Sequence, residues 1–206
     1  MYGRRFTVRP RGGQAQTVQE RLKARAAIVD GHGLNARVSS IIEGPTAGCL
    51  ALTVMAPTMA AAMKGRASVV ADPKWQALEK ERQDDPRADR LGGTTMVRFV
   101  SGAPDPANFP VSLIRIYDMS RGNLPELLKI GEEVRKIATG VDMNLAMGTP
   151  ILSDMMSRFI VIYQARSLDH LGESIDTVVA MQEFQDILVR SAALGSISTA
   201  VIDVTV

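Results

Sequence analysis

The apolar positions along the first half of the chain follow two periods in turn, and their order predicts a βαββαβ unit. Arg5–Arg9 alternates, which predicts a strand with Phe6 and Val8 on one face. Helical spacing then extends over about Thr17–Val29 and ends before Gly31. The other predicted elements are two strands, a helical stretch in two parts and a fourth strand, at Ala36–Ile42, Cys49–Met55, Met59–Val70, the segment from Pro73 and Thr95–Val100.

Local signals predict where the helices of this half begin and end. Thr58 is a candidate N-cap, and Asp72 followed by Pro73 predicts that a new helix begins there. The charged segment Gln83–Arg90 is predicted to be a loop that leads into the fourth strand.

The same order of elements begins again after a linker rich in turn residues. We therefore predict a first repeat over residues 1–101, a linker over 102–108 and a second repeat over 109–206. In the second repeat Asn123 and Glu126 predict a capping box, and Ser167 caps a helical stretch that continues to Val189. The predicted strands of this repeat are Val111–Asp118, Leu145–Leu152, Arg158–Gln164 and Thr199–Val206.

A direct alignment of the two halves supports a tandem duplication. The segment Cys49–Glu81 aligns with Arg158–Arg190 without a gap. Each residue is paired with the residue 109 positions later, so that Trp75 is paired with Phe184. Five of the 33 pairs are identical, and the caps and element order match as well. The first strands pair at nearly the same offset, with Phe6 on Ile114.

Such a repeat predicts an α+β fold in which two ferredoxin-like units form one α+β barrel. Each unit makes a four-stranded antiparallel sheet with two helices on one face. The other face would be a large exposed apolar patch unless the sheet of the other repeat covered it. The space between the sheets would be lined by alternate strand residues.

The plan and one short motif resemble a known family. The tandem βαββαβ order, with Asp72-Pro73-Lys74-Trp75-Gln76-Ala77 in a helix, resembles the dimeric α+β barrel superfamily, and the motif is most similar to NIPSNAP-like proteins. The second repeat does not keep the motif at residues 181–186. The superfamily that the chain resembles includes cofactor-free monooxygenases, polyketide cyclases, haem-degrading enzymes, chlorite dismutase relatives and members without known activity. The resemblance therefore implies a fold more narrowly than it implies a function.

Composition excludes several broad classes. Apolar residues at 46% and charged residues at 22% are typical of a globular chain, and the net charge of +2 is too small to indicate nucleic acid. The single cysteine, Cys49, is predicted to be a buried thiol. With no signal peptide and no apolar run of membrane length, we expect a cytoplasmic protein without a membrane partner, compatible with a homo-oligomer.

Strand alternation predicts the candidate site. If Phe6 and Ile114 face the helices, charged and phenolic side chains face the barrel interior, where charges are costly unless paired. The predicted catalytic residues are Arg115, Tyr117 and Asp203. The predicted ligand-binding residues are Arg9, Trp75 and Arg98. The same interior charges also fit an ion-paired seam between the sheets, which is the commoner arrangement for such charges.

Cofactors and nucleic acid are not expected. Haem needs a positioned axial ligand, but His32 lies in a helix-ending loop and His170 in the first turn of a helix. No metal-spaced cluster occurs, so neither metal nor other cofactor is predicted. RNA-binding domains of the same topology need aromatic residues on their central strands, which the strand from Cys49 lacks. The match of Arg11-Gly12-Gly13 to an amino-acid-binding module of the ACT type is loose.

Two functions remain open at this point. In the first, the barrel binds a small, largely apolar organic molecule between its sheets and converts it without a cofactor, as a monooxygenase, cyclase or isomerase would. In the second, the protein is a non-catalytic binding or assembly protein whose interior is filled by side chains. An open interior lined by Arg115, Tyr117 and Asp203 favours the first, and one closed by Met96, Ile160 and Ile162 favours the second.

Overall fold

A computed structural model describes residues 1–153 and 156–206 of the chain. The first half contains β1 Tyr2–Pro10, α1 Ala15–Gly31, β2 Asn35–Glu43, β3 Leu50–Ala56, α2 Met59–Ala71, α3 Pro73–Asp84 and β4 Ala88–Ser101. The second half contains β5 Val111–Met119, a short 3-10 turn Arg121–Asn123, α4 Leu124–Gly140, β6 Asn144–Leu152, β7 Arg158–Ala165, α5 Leu168–Val179, α6 Gln182–Ala192 and β8 Gly195–Thr205.

The strands form one closed antiparallel barrel. Their order around the barrel is β1, β3, β2, β8, β5, β7, β6 and β4, and β4 pairs again with β1. Each half contributes four neighbouring strands in the ferredoxin-like order, and the pairs β2–β8 and β4–β6 join the halves. The predicted fold class, two ferredoxin-like repeats that close into an α+β barrel, is confirmed.

The apolar residues form three clusters that correspond to three layers. Helices α1 and α2 pack on the outer face of the first sheet through residues such as Leu22, Leu52 and Val69. Helices α4, α5 and α6 cover the second sheet in the same way. The third cluster contains no helical residue and fills the space inside the barrel, with Ile41, Cys49, Val97, Ile114, Ile160 and Val201 buried at its centre.

The helix starts follow local chemistry at three of the four predicted caps. The side chains of Thr58, Asp72 and Ser167 each accept a hydrogen bond from a backbone N–H in the first turn of the following helix. The prediction for Asn123 is wrong, because its amide side chain donates instead to the carbonyl oxygen of Leu194 at 2.8 Å. That bond ties the start of α4 to the chain just before β8.

Two predicted boundaries also differ from the structure. The charged segment Gln83–Arg90 is not a loop, because α3 continues to Asp84 and β4 already pairs with β1 from Ala88 onward. The last helical stretch is not continuous, since it breaks at Ala180 and Met181 into α5 and α6. The break repeats in the second half the interruption at Asp72 in the first. In the described part of the chain, no helix is both long and apolar enough to cross a membrane.

Candidate functional site

Among the described residues, apolar side chains from both halves fill the barrel interior in which the site was predicted. Ile160 is 8% exposed and packs with Ile114, Val97 and the partly buried Ile162. Of the three side chains expected to close the interior, Ile160 and Ile162 do so, but Met96 lies on the other face of β4.

The charged group inside the barrel is an ion-paired seam. Asp203 is 4% exposed, and its carboxylate lies 2.6 Å from the guanidinium of Arg5 and accepts a hydrogen bond from Ser39 at 3.1 Å. Arg5 and Asp203 come from different repeats, so this pair joins the two sheets across the interior.

The predicted orientation of Arg115 and Tyr117 is wrong. Both face the helices of the second repeat, where the guanidinium of Arg115 lies 5.5 Å from the ring centre of Tyr163. The reason is the register: Phe6 lies opposite Leu52 and Arg115 lies opposite Val161. Val161 is the equivalent of Leu52 at the offset of 109 residues, so the strand partner of Val161, Arg115, is the equivalent of Phe6. The sequence alignment had paired Phe6 with Ile114, and this error of one residue assigns every side chain of the strand to the opposite face of the sheet.

The two remaining arginines lie outside any enclosed site. Arg98 projects outward from β4, since Val97 and Phe99 on either side of it belong to the interior cluster. Its predicted position inside the barrel is therefore wrong. Arg9 is exposed near the end of β1, where its register partner is Asp89. The ligand-binding roles of Arg9 and Arg98 and the catalytic roles of Arg115, Tyr117 and Asp203 stay predictions.

A cavity lies elsewhere, between the helices and the outer face of the sheet in the first repeat. Its volume is about 500 Å³, and residues from α1, α2, α3, β1, β3 and β4 line it. Trp75, predicted to contact ligand, forms part of this wall. The apolar lining consists mainly of strand and helix residues that face each other across the gap, including Phe6, Val8, Leu22, Val29, Leu34, Leu52, Val54, Val69 and Leu78.

The corresponding place in the described residues of the second repeat holds only much smaller voids. Phe184, the equivalent of Trp75, is only 6% exposed and fills the corresponding position. The voids beside it measure about 40 and 50 Å³. The two repeats therefore share a backbone plan but differ in what lies between their helices and their sheet.

One arginine is buried in the wall of the large cavity. Arg25 on α1 is 8% exposed and lies 5.4 Å from the ring centre of Trp75, in cation–π geometry. Its guanidinium lies 2.8 Å from a carboxylate oxygen of Glu79 and donates to the carbonyl oxygen of Leu78 at 3.4 Å. Burial lowers the pKa of Arg25 below its ordinary value, while Glu79 favours the charged form.

The rest of the cavity wall is strongly cationic. Seven arginine side chains line it and Glu79 is the one lining carboxylate: Arg4, Arg21, Arg25, Arg66, Arg82, Arg87 and Arg90. Glu79 lies 3.0 Å from Arg82 as well as against Arg25. Both guanidinium contacts engage the Glu79 carboxylate within the protein, so the free hydrogen-bonding capacity of the wall belongs mainly to the arginines and favours binding of a ligand.

Sequence reasoning missed these arginines, although a signal was present. Arg21 and Arg25 fall on the same helical face as Val18, Leu22 and Val29. At the offset of 109 their equivalents in α4 are Ile130 and Val134, which belong to the core. A charged residue in one repeat at a position that is apolar in the other indicates that the position does more than fill the core.

The residues present do not fit a haem. His and Cys are missing from the lining of the cavity, and a Met ligand such as Met96 ordinarily works with a His partner. Both histidines are engaged elsewhere, His32 with Asp72 at 2.8 Å and His170 with the carbonyl oxygen of Val141 at 3.0 Å. Tyr2 is the remaining lining side chain of a haem-ligating type.

Comparison with known proteins identifies the fold. No protein-family model and no curated protein matches the sequence. Among solved structures, a protein from Fusobacterium nucleatum provisionally named a monooxygenase superposes with a TM-score of 0.70 at 7% identity, covering 98% of this chain and 91% of that one. An anthrone oxidase-like protein gives 0.64 at 8%, covering 100% and 91%. A mutant chlorite dismutase from Candidatus Nitrospira defluvii gives 0.55 at 9%, covering 100% and 91%.

These matches extend over nearly the whole chain at very low identity. They are therefore a statement about architecture, and the residues of the site have to be argued from their own geometry. The chain has the ferredoxin-like α+β barrel fold that these proteins share.

Proposed function

We propose that the protein binds a small, largely apolar organic molecule in the cavity between the helices and the sheet of its first repeat. The observation that carries this proposal is a cavity of about 500 Å³ with apolar walls, present in one repeat and filled by side chains in the other. A well-formed apolar pocket of this size is typical of small-molecule sites. The site differs from the barrel interior that the sequence favoured, but the class of ligand is the same.

The single tryptophan of the chain provides the test. Trp75 lines the cavity, so a fluorescent apolar probe bound there should quench its emission by energy transfer. N-phenyl-1-naphthylamine is an uncharged probe of suitable size. We expect saturable quenching with the native protein and a loss of at least about tenfold in affinity with Ala62→Phe, which places a ring in the cavity.

A matched control lies on the same helix. Ala67 on α2 is exposed and outside the cavity lining, so Ala67→Phe should bind the probe like the native protein. Equal binding by all three proteins would place the probe elsewhere and contradict the proposal.

A second candidate, oxygen-dependent conversion of the bound molecule, is supported by the names of two solved structures of the same fold. One is provisionally named a monooxygenase and the other anthrone oxidase-like. For anthrone the balanced reaction is oxidation by O2 to anthraquinone and water. The test is an oxygen-electrode assay with anthrone, in which Ala62→Phe should reduce the uptake to the protein-free rate. Identical uptake with and without native protein would reject this candidate.

Three predictions from the sequence stay proposals: the likeness to NIPSNAP-like proteins, the division into two repeats and a linker, and the formation of a homo-oligomer. The likeness to NIPSNAP-like proteins rests on the hexapeptide 72–77, whose Trp75 lines the cavity. The division into residues 1–101, 102–108 and 109–206 would be tested by limited proteolysis, with cleavage expected in the linker. Homo-oligomer formation would be tested by light scattering.

A further inference from the structure

The cluster of lining arginines belongs to the first repeat, whereas among the described residues Arg115 is the one arginine that lines the corresponding voids of the second repeat. At the offset of 109, the residues equivalent to Arg4, Arg21, Arg25, Arg66 and Arg82 are Leu113, Ile130, Val134, Ile175 and Ser191. None of these five equivalents carries a charge. The fold therefore forms without the arginines, and their presence in one copy needs another reason.

Part of this charge is already neutralised within the protein. Arg21 lies 2.7 Å from Glu81 and 3.0 Å from Asp85, and Arg87 lies 2.6 Å from Asp85. Glu79 contacts Arg25 and Arg82 in addition. Four lining arginines are therefore paired with three carboxylates, those of Glu79, Glu81 and Asp85. The hydrogen bond from Arg87 holds the pKa of Asp85 below its ordinary value of 3.8, so this carboxylate is charged at neutral pH.

The other three lining arginines have no carboxylate partner among the described residues. Arg90 lies 5.7 Å from the ring centre of Phe6 and donates to the hydroxyl of Thr94. Arg4 is half-buried on β1 between Val54 and Met96 of the neighbouring strands, and Arg66 is exposed on α2. Seven guanidinium groups against three carboxylates leave an excess of four positive charges around an apolar cavity.

We infer that the ligand of this cavity is an amphipathic organic anion, with an apolar body against the sheet and a carboxylate or similar acidic group at the arginines. This inference rests on the proposed binding function. A guanidinium binds a carboxylate or another oxyanion through two parallel N–H groups, and such charge-assisted bonds are stronger than neutral ones. A half-buried cation beside apolar side chains is costly unless an anion lies beside it. An acidic group bound next to Arg4 would therefore remove that cost, which favours an anionic ligand in the cavity.

A matched pair of probes separates this inference from the binding function. 8-Anilinonaphthalene-1-sulfonate has the same two aromatic groups as N-phenyl-1-naphthylamine and adds one sulfonate. With quenching of Trp75 as the readout, we expect the sulfonate to bind about tenfold tighter, the gain typical of one charge-assisted hydrogen bond. Its affinity should fall as NaCl is raised from low to high concentration, while that of the neutral probe should not.

Variants that copy the second repeat complete the test. In the double variant Arg4→Leu and Arg66→Ile, the preference for the sulfonate should disappear while the neutral probe binds within about twofold of native. Arg66→Gln, at an exposed helix position, serves if the double variant is misfolded by circular dichroism, and should reduce the preference in part. Lys64→Ile removes an exposed cation on the same helix as Arg66 but outside the cavity lining, and should change neither affinity.

The outcomes distinguish the two claims. Equal binding of both probes, or a preference unchanged in the arginine variants, overturns the inference and leaves the binding function intact. Failure of both probes to quench Trp75 overturns the binding function and the inference with it.

Discussion

Arg25 and Glu79 form an ion pair at 2.8 Å in the wall of the cavity, at positions where the second repeat has Val134 and Leu188. Both members of the pair differ between the repeats: the first repeat has two opposite charges at these positions, and the second has two apolar side chains. A buried ion pair stabilises less than its Coulomb energy suggests, because both charges lose their hydration. The pair in the first repeat is thus better explained by the charge of the site than by folding.

The Arg25–Glu79 pair gives the first prediction, a double-mutant cycle. Arg25→Val alone should lower the free energy of unfolding by about 2 kcal/mol, since it removes one partner of a largely buried pair but leaves Glu79 the contact with Arg82. Arg25→Val with Glu79→Leu should recover most of that loss, because it recreates the apolar pair of the second repeat. Urea unfolding measures both, and strictly additive effects would contradict the coupling.

The equivalent aromatic residues give the second prediction. Phe184 is buried in a filled core, so Phe184→Ala should lower the free energy of unfolding by about 3–5 kcal/mol. Trp75→Ala should cost less, because Trp75 is half-buried and already borders the cavity. Thermal and urea unfolding of the two variants provide the comparison. A larger loss for Trp75→Ala would mean that the first repeat is packed as tightly as the second.

The interior ion pair gives the third prediction. Asp203→Ala leaves Arg5 without its partner beside the apolar interior, and should lower the free energy of unfolding by about 3 kcal/mol, the lower end for buried pairs because Arg5 is partly exposed. The matched control is Asp89→Ala, which breaks an exposed pair with Arg11 and should change stability far less, because solvent screens that pair. Similar losses for the two variants would show that the seam contributes no more than a surface pair.

Tyr163 gives the fourth prediction, on alkaline pH. Burial raises the pKa of the Tyr163 hydroxyl well above its ordinary value of 10.0, with a further effect from Tyr117. A group with a raised folded-state pKa stabilises the protein below its unfolded pKa and loses that contribution as pH rises above it. The free energy of unfolding should therefore decline above about pH 10, and the decline should be shallower in Tyr163→Phe. Parallel declines in the two proteins would contradict the assigned burial.

Much of the fold was predictable because its signals are local. The caps at Thr58, Asp72 and Ser167 follow from side chains that hydrogen-bond within one turn, and the repeat follows from the displacement of 109 between Trp75 and Phe184. From two such units, the need to cover an apolar sheet face is enough to predict a barrel.

The position of the site was not predictable in the same way, because it depends on a single register. Pairing Phe6 with Ile114 instead of Arg115 moved Arg115 and Tyr117 from the helix side to the barrel interior. Alternation states that neighbours face opposite ways, but it does not state which face meets the helices. Only the partner strands settle that, through the pairs Phe6–Leu52 and Arg115–Val161.

The cavity itself is a second property that sequence could not supply. Whether side chains fill the gap between helices and sheet depends on volumes summed over several elements. The exchange of Phe184 for Trp75 would suggest a fuller first repeat, yet the larger side chain borders the open space. The arginines around it were visible in the sequence, but their common surface appears only when α1, α2, α3 and the sheet are brought together.

A crystal structure of the protein with 8-anilinonaphthalene-1-sulfonate tests the central claim most directly, because it locates the ligand site without an assumption about the natural ligand. We expect the naphthalene between α1, α2 and the outer face of the first sheet, against Trp75, with its sulfonate on one or more of the arginines that lack a carboxylate partner among the described residues. Density for the probe inside the barrel against Ile160, or between the helices and sheet of the second repeat beside Phe184, would contradict it.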